Sequence, residues 1–254
     1  EKHVNCKKSR KRKDVTFEYD ANGFAQEEVL KGECDQAKFV RCSLQPGKSV
    51  KPELYSTVEH TQVFLFLEGK GYITTPRKGF NIKNEFAVFV PDYDTEEFEI
   101  TCSADSKKPL EYIHIVTELN DYDKHCLYAS KMRLPRFRTM DMAWNYYEDF
   151  KDDSIENKML LEHRNLGRVS CGAVLGKGPS VVGQHIHDAL MQWYIILPGS
   201  KMTYTAGDES HVMEGGDISY TPTGYYHGSE VKEGDTLDYV WFEMVMECYP
   251  GEIE

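Results

Sequence analysis

A seven-residue step occurs twice in this chain. Gln192 opens an apolar run that stops at Pro198-Gly199, and Gln62-Val-Phe-Leu-Phe-Leu-Glu-Gly69 repeats the interval in the first half. A second pair follows each: Phe86-Ala-Val-Phe-Val-Pro91 is echoed by Ile218-Ser-Tyr-Thr-Pro222. Around these pairs both halves read as short alternating or apolar strands, separated by Gly, Pro, Asn and Asp turns. A repeated pattern of this kind calls for two copies of one strand-built unit. The expectation is an all-β chain with two similar barrels and few helices.

The second copy carries histidines at informative positions. His185 and His187 are two apart, so on a strand both imidazoles leave the same face. Gln192 begins the next strand, and His227 closes the run Gly216-x5-Pro222-x-Gly224-x2-His227. Imidazole suits zinc, iron, copper and nickel, so the four residues read as a metal pocket inside a small antiparallel barrel.

These two segments resemble the paired motifs of the cupin superfamily, G-x5-H-x-H-x3-4-E-x6-G and G-x5-P-x-G-x2-H-x3-N. The second motif matches as far as His227, with Val231 in place of its final Asn. In the first, the leading Gly is displaced and Gln192 stands where the family usually has Glu. The resemblance implies two jelly-roll (double-stranded β-helix) barrels in one chain, a bicupin. A divalent ion (zinc, iron, manganese or nickel) would be held by His185, His187, Gln192 and His227. The expected organisation is a degenerate N-terminal barrel over residues 1–119, a linker with a short helix over 120–158, and a metal-binding barrel over 159–254.

The ligand positions are lost in the first copy. Aligning Gln62 with Gln192 puts Tyr55 and Thr57 where the His-x-His pair stands, and aligning Pro91 with Pro222 puts Glu96 at the place of His227. That set makes no three-imidazole cage, and the N-terminal barrel is expected to be metal-free and structural. In the linker, Asp121-Tyr-Asp-Lys and Leu134-Pro135-Arg136 read as loop. Met140, Ala143, Trp144 and Tyr147 fall at helical spacing, which predicts a helix over residues 140–151. Arg133, Arg136 and Arg138 read as surface charge, with a carboxylate clamp as the functional alternative.

Net charge is −12, which disfavours nucleic acid and anionic membrane as partners. The basic run from Lys7 to Lys13 reads as a solvated arm. Seven cysteines without a Cys-x-x-Cys fit reduced thiols and a cytoplasmic location. No apolar run reaches membrane-spanning length. Expected partners are a small-molecule substrate and a second copy of the chain.

Three neutral imidazoles and a neutral amide leave the full double charge on a divalent ion. Such a centre favours anionic oxygens and non-redox chemistry next to a carbonyl. Proton transfer there needs a side chain within reach. Glu243, an unexpected carboxylate in the apolar strand Leu237 to Val245, is the first candidate, with Asp238 on the opposite parity. Tyr194 shares the parity of Gln192, and Tyr204 lies on the following strand. Arg168, on one face with Ser170 and Gly172, is the candidate anchor for a substrate carboxylate. Gln184 and Tyr226 should point away from the metal. The leading expectation is a metal-dependent isomerase, lyase or tautomerase acting on a small carboxylate or sugar-derived metabolite. An iron-dependent dioxygenase and a non-catalytic ligand-binding cupin are the alternatives.

Overall fold

The structure, a computed structural model, describes residues 8–56, 59–92 and 96–249. In chain order its strands begin with β1 (Lys8–Arg10), β2 (Phe24–Val29), β3 (Ala37–Leu44), β4 (Ser49–Val50) and β5 (His60–Glu68). They continue with β6 (Lys70–Thr74), β7 (Gly79–Lys83), β8 (Ala87–Val90), β9 (Glu99–Cys102) and β10 (Leu110–Glu118). A helix, α1 (Asp121–Ser130), precedes β11 (Arg136–Thr139), β12 (Trp144–Tyr146), β13 (Glu156–Leu166), β14 (Val169–Lys177) and β15 (Ser180–His185). The last strands are β16 (Leu190–Ile196), β17 (Lys201–Ala206), β18 (Glu209–Glu214), β19 (Ile218–Thr221), β20 (His227–Val231) and β21 (Thr236–Val245). The all-β, two-barrel expectation holds.

The chain forms two compact units. One comprises Thr16–Lys124 and Lys131–Met142; the other comprises His125–Ser130, Ala143–Glu254 and the N-terminal residues through Val15. The first unit pairs a six-stranded sheet, β11-β8-β5-β10-β3-β2, with a four-stranded one, β4-β9-β6-β7. Inward positions alternate cleanly where one face meets water, as in β6 and β7, the pattern that fixes register in a half-buried strand. Between the sheets lies an aromatic core that includes Phe64, Phe66, Phe80, Phe89, Phe98 and Tyr112. Burial of such rings is the dominant stabilising term.

The second unit repeats the plan with a seven-stranded sheet, β1-β19-β16-β21-β14-β13-β12, and a four-stranded one, β15-β20-β17-β18. Its core contains Tyr194, Ile196, Met202, Tyr204, Tyr239 and Trp241. The two repeated steps end alike: Gly69 and Gly199 both turn the chain at positive φ, 93° and 84°, where a Cβ would be strained. At Gly69 a Cβ would also lie 2.4 Å from the Pro109 carbonyl oxygen.

Three expectations are corrected. The helix expected over residues 140–151 is instead a single 3-10 turn, Met140–Met142, followed by β12. Trp144, Asn145 and Tyr146 pair with Met159, Lys158 and Asn157 of β13, and the free edge of that strand outweighs the helical spacing of the apolar residues. The helix lies earlier, at α1, where a loop was expected. A capping box starts it: Asn120 Oδ1 accepts from the Asp123 N–H at 2.9 Å, and Asp123 Oδ2 accepts from the Asn120 N–H at 2.9 Å, satisfying two otherwise orphan donors. Finally, the described part of the basic arm is docked on the second unit. Residues Lys8–Arg10 extend the large sheet along β19, and the nearly buried Asp217 accepts from Lys11 Nζ at 3.2 Å and from the Arg12 N–H at 2.8 Å. Lys7 lies outside the described residues.

Candidate metal centre

The second barrel brings His185, His187 and His227 together. His185 ends β15 and His227 begins β20, and the two are direct partners across that ladder. His187 follows two residues later. Ring centroids are 4.4 Å apart for His185 and His227, 4.9 Å for His185 and His187, and 5.3 Å for His187 and His227. One nitrogen from each lies within 4.8 Å of the other two, and this is the single such group of metal-ligating side chains found among the described residues.

Backbone contacts orient two of the rings. Nδ1 of His185 lies 2.9 Å from the Gly183 carbonyl, and Nδ1 of His227 lies 2.9 Å from the Tyr225 carbonyl. A carbonyl only accepts, so each Nδ1 carries the proton and each Nε2 presents a lone pair, the usual arrangement behind a metal-binding imidazole. Phe150 stacks on the His185 ring at 4.0 Å. Burial lowers all three histidine pKa values, to about 4 for His187 and about 3 for His227. The imidazoles are therefore neutral near pH 7, the form that binds metal.

The test of fit is what these atoms do without an ion. Nε2 of His187, Nε2 of His227 and Oε1 of Gln192 are all buried with no hydrogen-bond partner. Stranding even one buried polar atom costs about 1–3 kcal/mol. A cation shared by these three atoms would satisfy all of them. Gln192 lies in β16 between Thr221 of β19 and Glu243 of β21. Its Nε2 donates to Glu243 Oε1 at 2.7 Å, which leaves its carbonyl oxygen as the available donor atom. The residues fit a divalent ion bound by three nitrogens and one amide oxygen.

A cavity of about 350 Å³ opens beside the histidines. Glu243 and Tyr194 line it, as do His185, His187 and Gln192. Glu243 is almost fully buried. Burial pushes its pKa up to about 7, partly offset by the Gln192 hydrogen bond and by the charge of Lys151. Tyr194 packs against Tyr239 at 4.5 Å and Tyr204 at 5.7 Å, and burial raises its pKa well above the usual phenol value.

Two proposed site residues do not line the cavity. Tyr204 is fully buried behind it, bonded to the Thr221 hydroxyl, with its ring stacked 6.3 Å from that of His227. Arg168 is also buried, and its guanidinium donates to the Met246 carbonyl at 3.2 Å, away from the cavity lining. Its parity matches that of Ser170, but it precedes β14, where the barrel end turns it toward the chain leaving β21. Asp238 accepts from the Gly176 N–H on the opposite face from Glu243. Gln184 and Tyr226 point outward, as alternation predicts. Arg133, Arg136 and Arg138 belong to the first unit and do not line the cavity.

The residues that sequence reasoning missed come from the segment misread as helix. Trp144, Tyr146, Glu148 and Phe150 all line the cavity, followed by Lys151. Their spacing is two, the period of an extended chain with one face turned inward. That signal was present beside the helical one. His163 of β13 also lines the cavity, 3.9 Å from Glu243.

In the first unit the equivalent described residues have protein partners. Gln62 Oε1 lies 2.8 Å from His114 Nε2, and His114 stacks on Phe64 at 4.2 Å. Glu96 pairs with Arg77 at 2.8 Å, and Tyr55 packs on His60 at 5.3 Å. Thr57 lies outside the described residues.

No protein-family model matches the chain, and no curated protein matches it. Solved structures do. A putative glyoxylate-induced protein from Pseudomonas aeruginosa aligns with a TM-score of 0.74 at 9% identity, covering 95% of this chain and 90% of its own. A cupin 2 conserved barrel domain protein from Leptotrichia buccalis gives 0.60 at 12%, covering 96% and 98%. A point mutant of an oxalate decarboxylase from Bacillus subtilis gives 0.62 at 12%, covering 94% and 79%. At such identities the likeness is one of fold.

Proposed function

From a two-barrel cupin fold whose second barrel gathers three imidazoles around a cavity, we propose a metal-dependent, non-redox enzyme of the isomerase, lyase or tautomerase type. The substrate is a small carboxylate-bearing or sugar-derived metabolite. The single observation that supports this most is the set of stranded buried acceptors, Nε2 of His187, Nε2 of His227 and Oε1 of Gln192. All are neutral donors. A divalent ion held by them and His185 keeps its full charge and supplies Lewis acidity toward a substrate carbonyl or carboxylate.

The chain's own groups supply the rest. Glu243 sits at the cavity wall with a pKa of about 7, a value suited to both taking and returning a proton near neutrality. Its bond to Gln192 fixes the carboxylate in place. Tyr146, Phe150 and Trp241 form apolar cavity walls, which keep bulk water from the reacting carbons and strengthen electrostatic contacts inside. Among the fold neighbours, the Bacillus subtilis oxalate decarboxylase is described with Mn(II) centers.

The test is elemental analysis of the purified chain and of His187→Ala, with turnover measured anaerobically. The expected result is about one divalent ion per chain, lost in the variant, and conversion of a small carboxylate or sugar-derived substrate without oxygen. Equal metal in both proteins would end the assignment, and a strict requirement for oxygen would replace it with dioxygenase chemistry.

A further inference from the structure

Lys151 is a cation that no carboxylate touches among the described residues, although Glu148 and Glu243 favour its charge at longer range. Its side chain is mostly buried and lines the cavity. Nζ donates to Asn157 Oδ1 at 2.6 Å and stands 5.5 Å from the Tyr146 ring and 5.4 Å from the Phe150 ring. An ammonium has three donors, and among the described residues Asn157 takes one and no carboxylate pairs with it. Buried charges are ordinarily paired. The aromatic contacts stabilise the cation only in part, and the remaining donors are available to an occupant of the cavity.

The position relates this cation to the metal pocket. Phe150, under the ammonium, also stacks on His185 at 4.0 Å. One ring therefore separates Lys151 from the histidine cluster. The segment is pinned on both sides. Lys151 bridges to Val182 of β15, and the Gly183 N–H donates to the Phe150 carbonyl at 2.8 Å.

Charge narrows the occupant further. The cavity lining holds one lysine and two glutamates, Glu148 and Glu243. With all three ionised, which holds for Glu243 above its pKa of about 7 and for Lys151 below about 8, the lining sums to one negative charge, and a divalent ion brings it to one positive charge. One carboxylate balances that sum. A second would meet the carboxylates of Glu148 and Glu243, where like charges repel.

We propose that Lys151 anchors the anionic end of a small monocarboxylate substrate, holding it in the aromatic cavity with its other end toward His185, His187 and His227. This rests on the functional reading above for the metal, but the anion contact belongs to Lys151 alone. It also takes the anchoring role that the sequence suggested for Arg168.

The test uses the full chain and the fluorescence of Trp144 and Trp241, both of which line the cavity. Pyruvate, its uncharged methyl ester and the dianion malonate are titrated into metal-loaded and chelated protein. Pyruvate should bind about tenfold or more tightly than either comparison ligand, the scale of one charge-assisted hydrogen bond. Lys151→Met should lose that preference and leave the methyl ester unaffected, and Lys151→Arg should retain most of it. Thermal melting and metal content, unchanged in both variants, separate a lost contact from a lost fold. Undiminished pyruvate binding in Lys151→Met overturns the anchor, and tighter binding of malonate than pyruvate overturns the monoanion. If the wild type retains no metal, the enzymatic reading fails. The chelated titration still reports on Lys151.

Discussion

His114 shows what one residue does to the first unit. It is a half-buried imidazole stacked on Phe64 and bonded to Gln62, and desolvation lowers its pKa from 6.5 to about 4. The unfolded chain therefore binds a proton that the folded chain refuses between those values. Its contribution to stability is complete above pH 6.5 and is lost as pH falls toward 4. Denaturant titrations of the first unit at pH 7, 6 and 5 should show this fall, worth up to about 3 kcal/mol in all. His114→Gln should flatten it. An unchanged slope in the variant would assign the effect to other groups. The Gln62–His114 bond also explains why the glutamine of the repeat persists without the His-x-His pair. In one barrel it bonds a core histidine; in the other its partner is Glu243, and its carbonyl oxygen is left for an ion.

Among the elements, the antiparallel pairing of β14 and β21 shapes the cavity. Gly172 faces Trp241 directly across that ladder, and a Cβ there would lie 2.2 Å from the indole and 2.7 Å from the Lys158 carbonyl. The indole lies over the bare backbone, and its N–H donates to the Tyr146 hydroxyl at 3.1 Å. Gly172→Ala should displace the ring, destabilise the second unit by about 1–3 kcal/mol and shift the tryptophan emission. Equilibrium unfolding followed by fluorescence measures both, and a wild-type midpoint and spectrum would contradict this packing account. The Tyr146 bond also ties β12 to the cavity wall. The segment from Trp144 to Lys151 was read as helix because Met140, Ala143, Trp144 and Tyr147 fit a helical stripe. The alternate residues Trp144, Tyr146, Glu148 and Phe150 fit an extended chain equally well. Local spacing does not choose between these patterns; the open edge of β13 does.

At the scale of the whole molecule, the two units share an architecture and differ in what fills them. The first has an aromatic interior, and the second has stranded acceptors around a cavity. Metal should therefore stabilise one unit alone. Calorimetry with excess zinc or manganese, against chelator, should raise one unfolding transition by about 4 kcal/mol at a thousandfold excess over the dissociation constant. The other should stay in place. His187→Ala should abolish the shift, and equal movement of both transitions would place ion binding outside the histidine pocket. Among the described residues no helix is long and apolar enough to cross a membrane.

Much of this was determined by the linear chain. The repeated Gln-to-Gly step dictates two barrels, because strands of that period and punctuation have few other ways to bury both copies. The spacing of His185, His187 and His227 brings three imidazoles to one face, because side-chain direction alternates residue by residue along a strand. Other matters needed the third dimension. Parity placed Arg168 with Ser170, but the barrel's end turns it to the Met246 carbonyl. Nothing local marks Lys151 as a cavity residue, since its place depends on a ladder between β12 and β13 and on a bridge to Val182. The cavity's charge, its aromatic walls and the placement of its one lysine arise from contacts between segments far apart in sequence, and those are decided only when the sheets close.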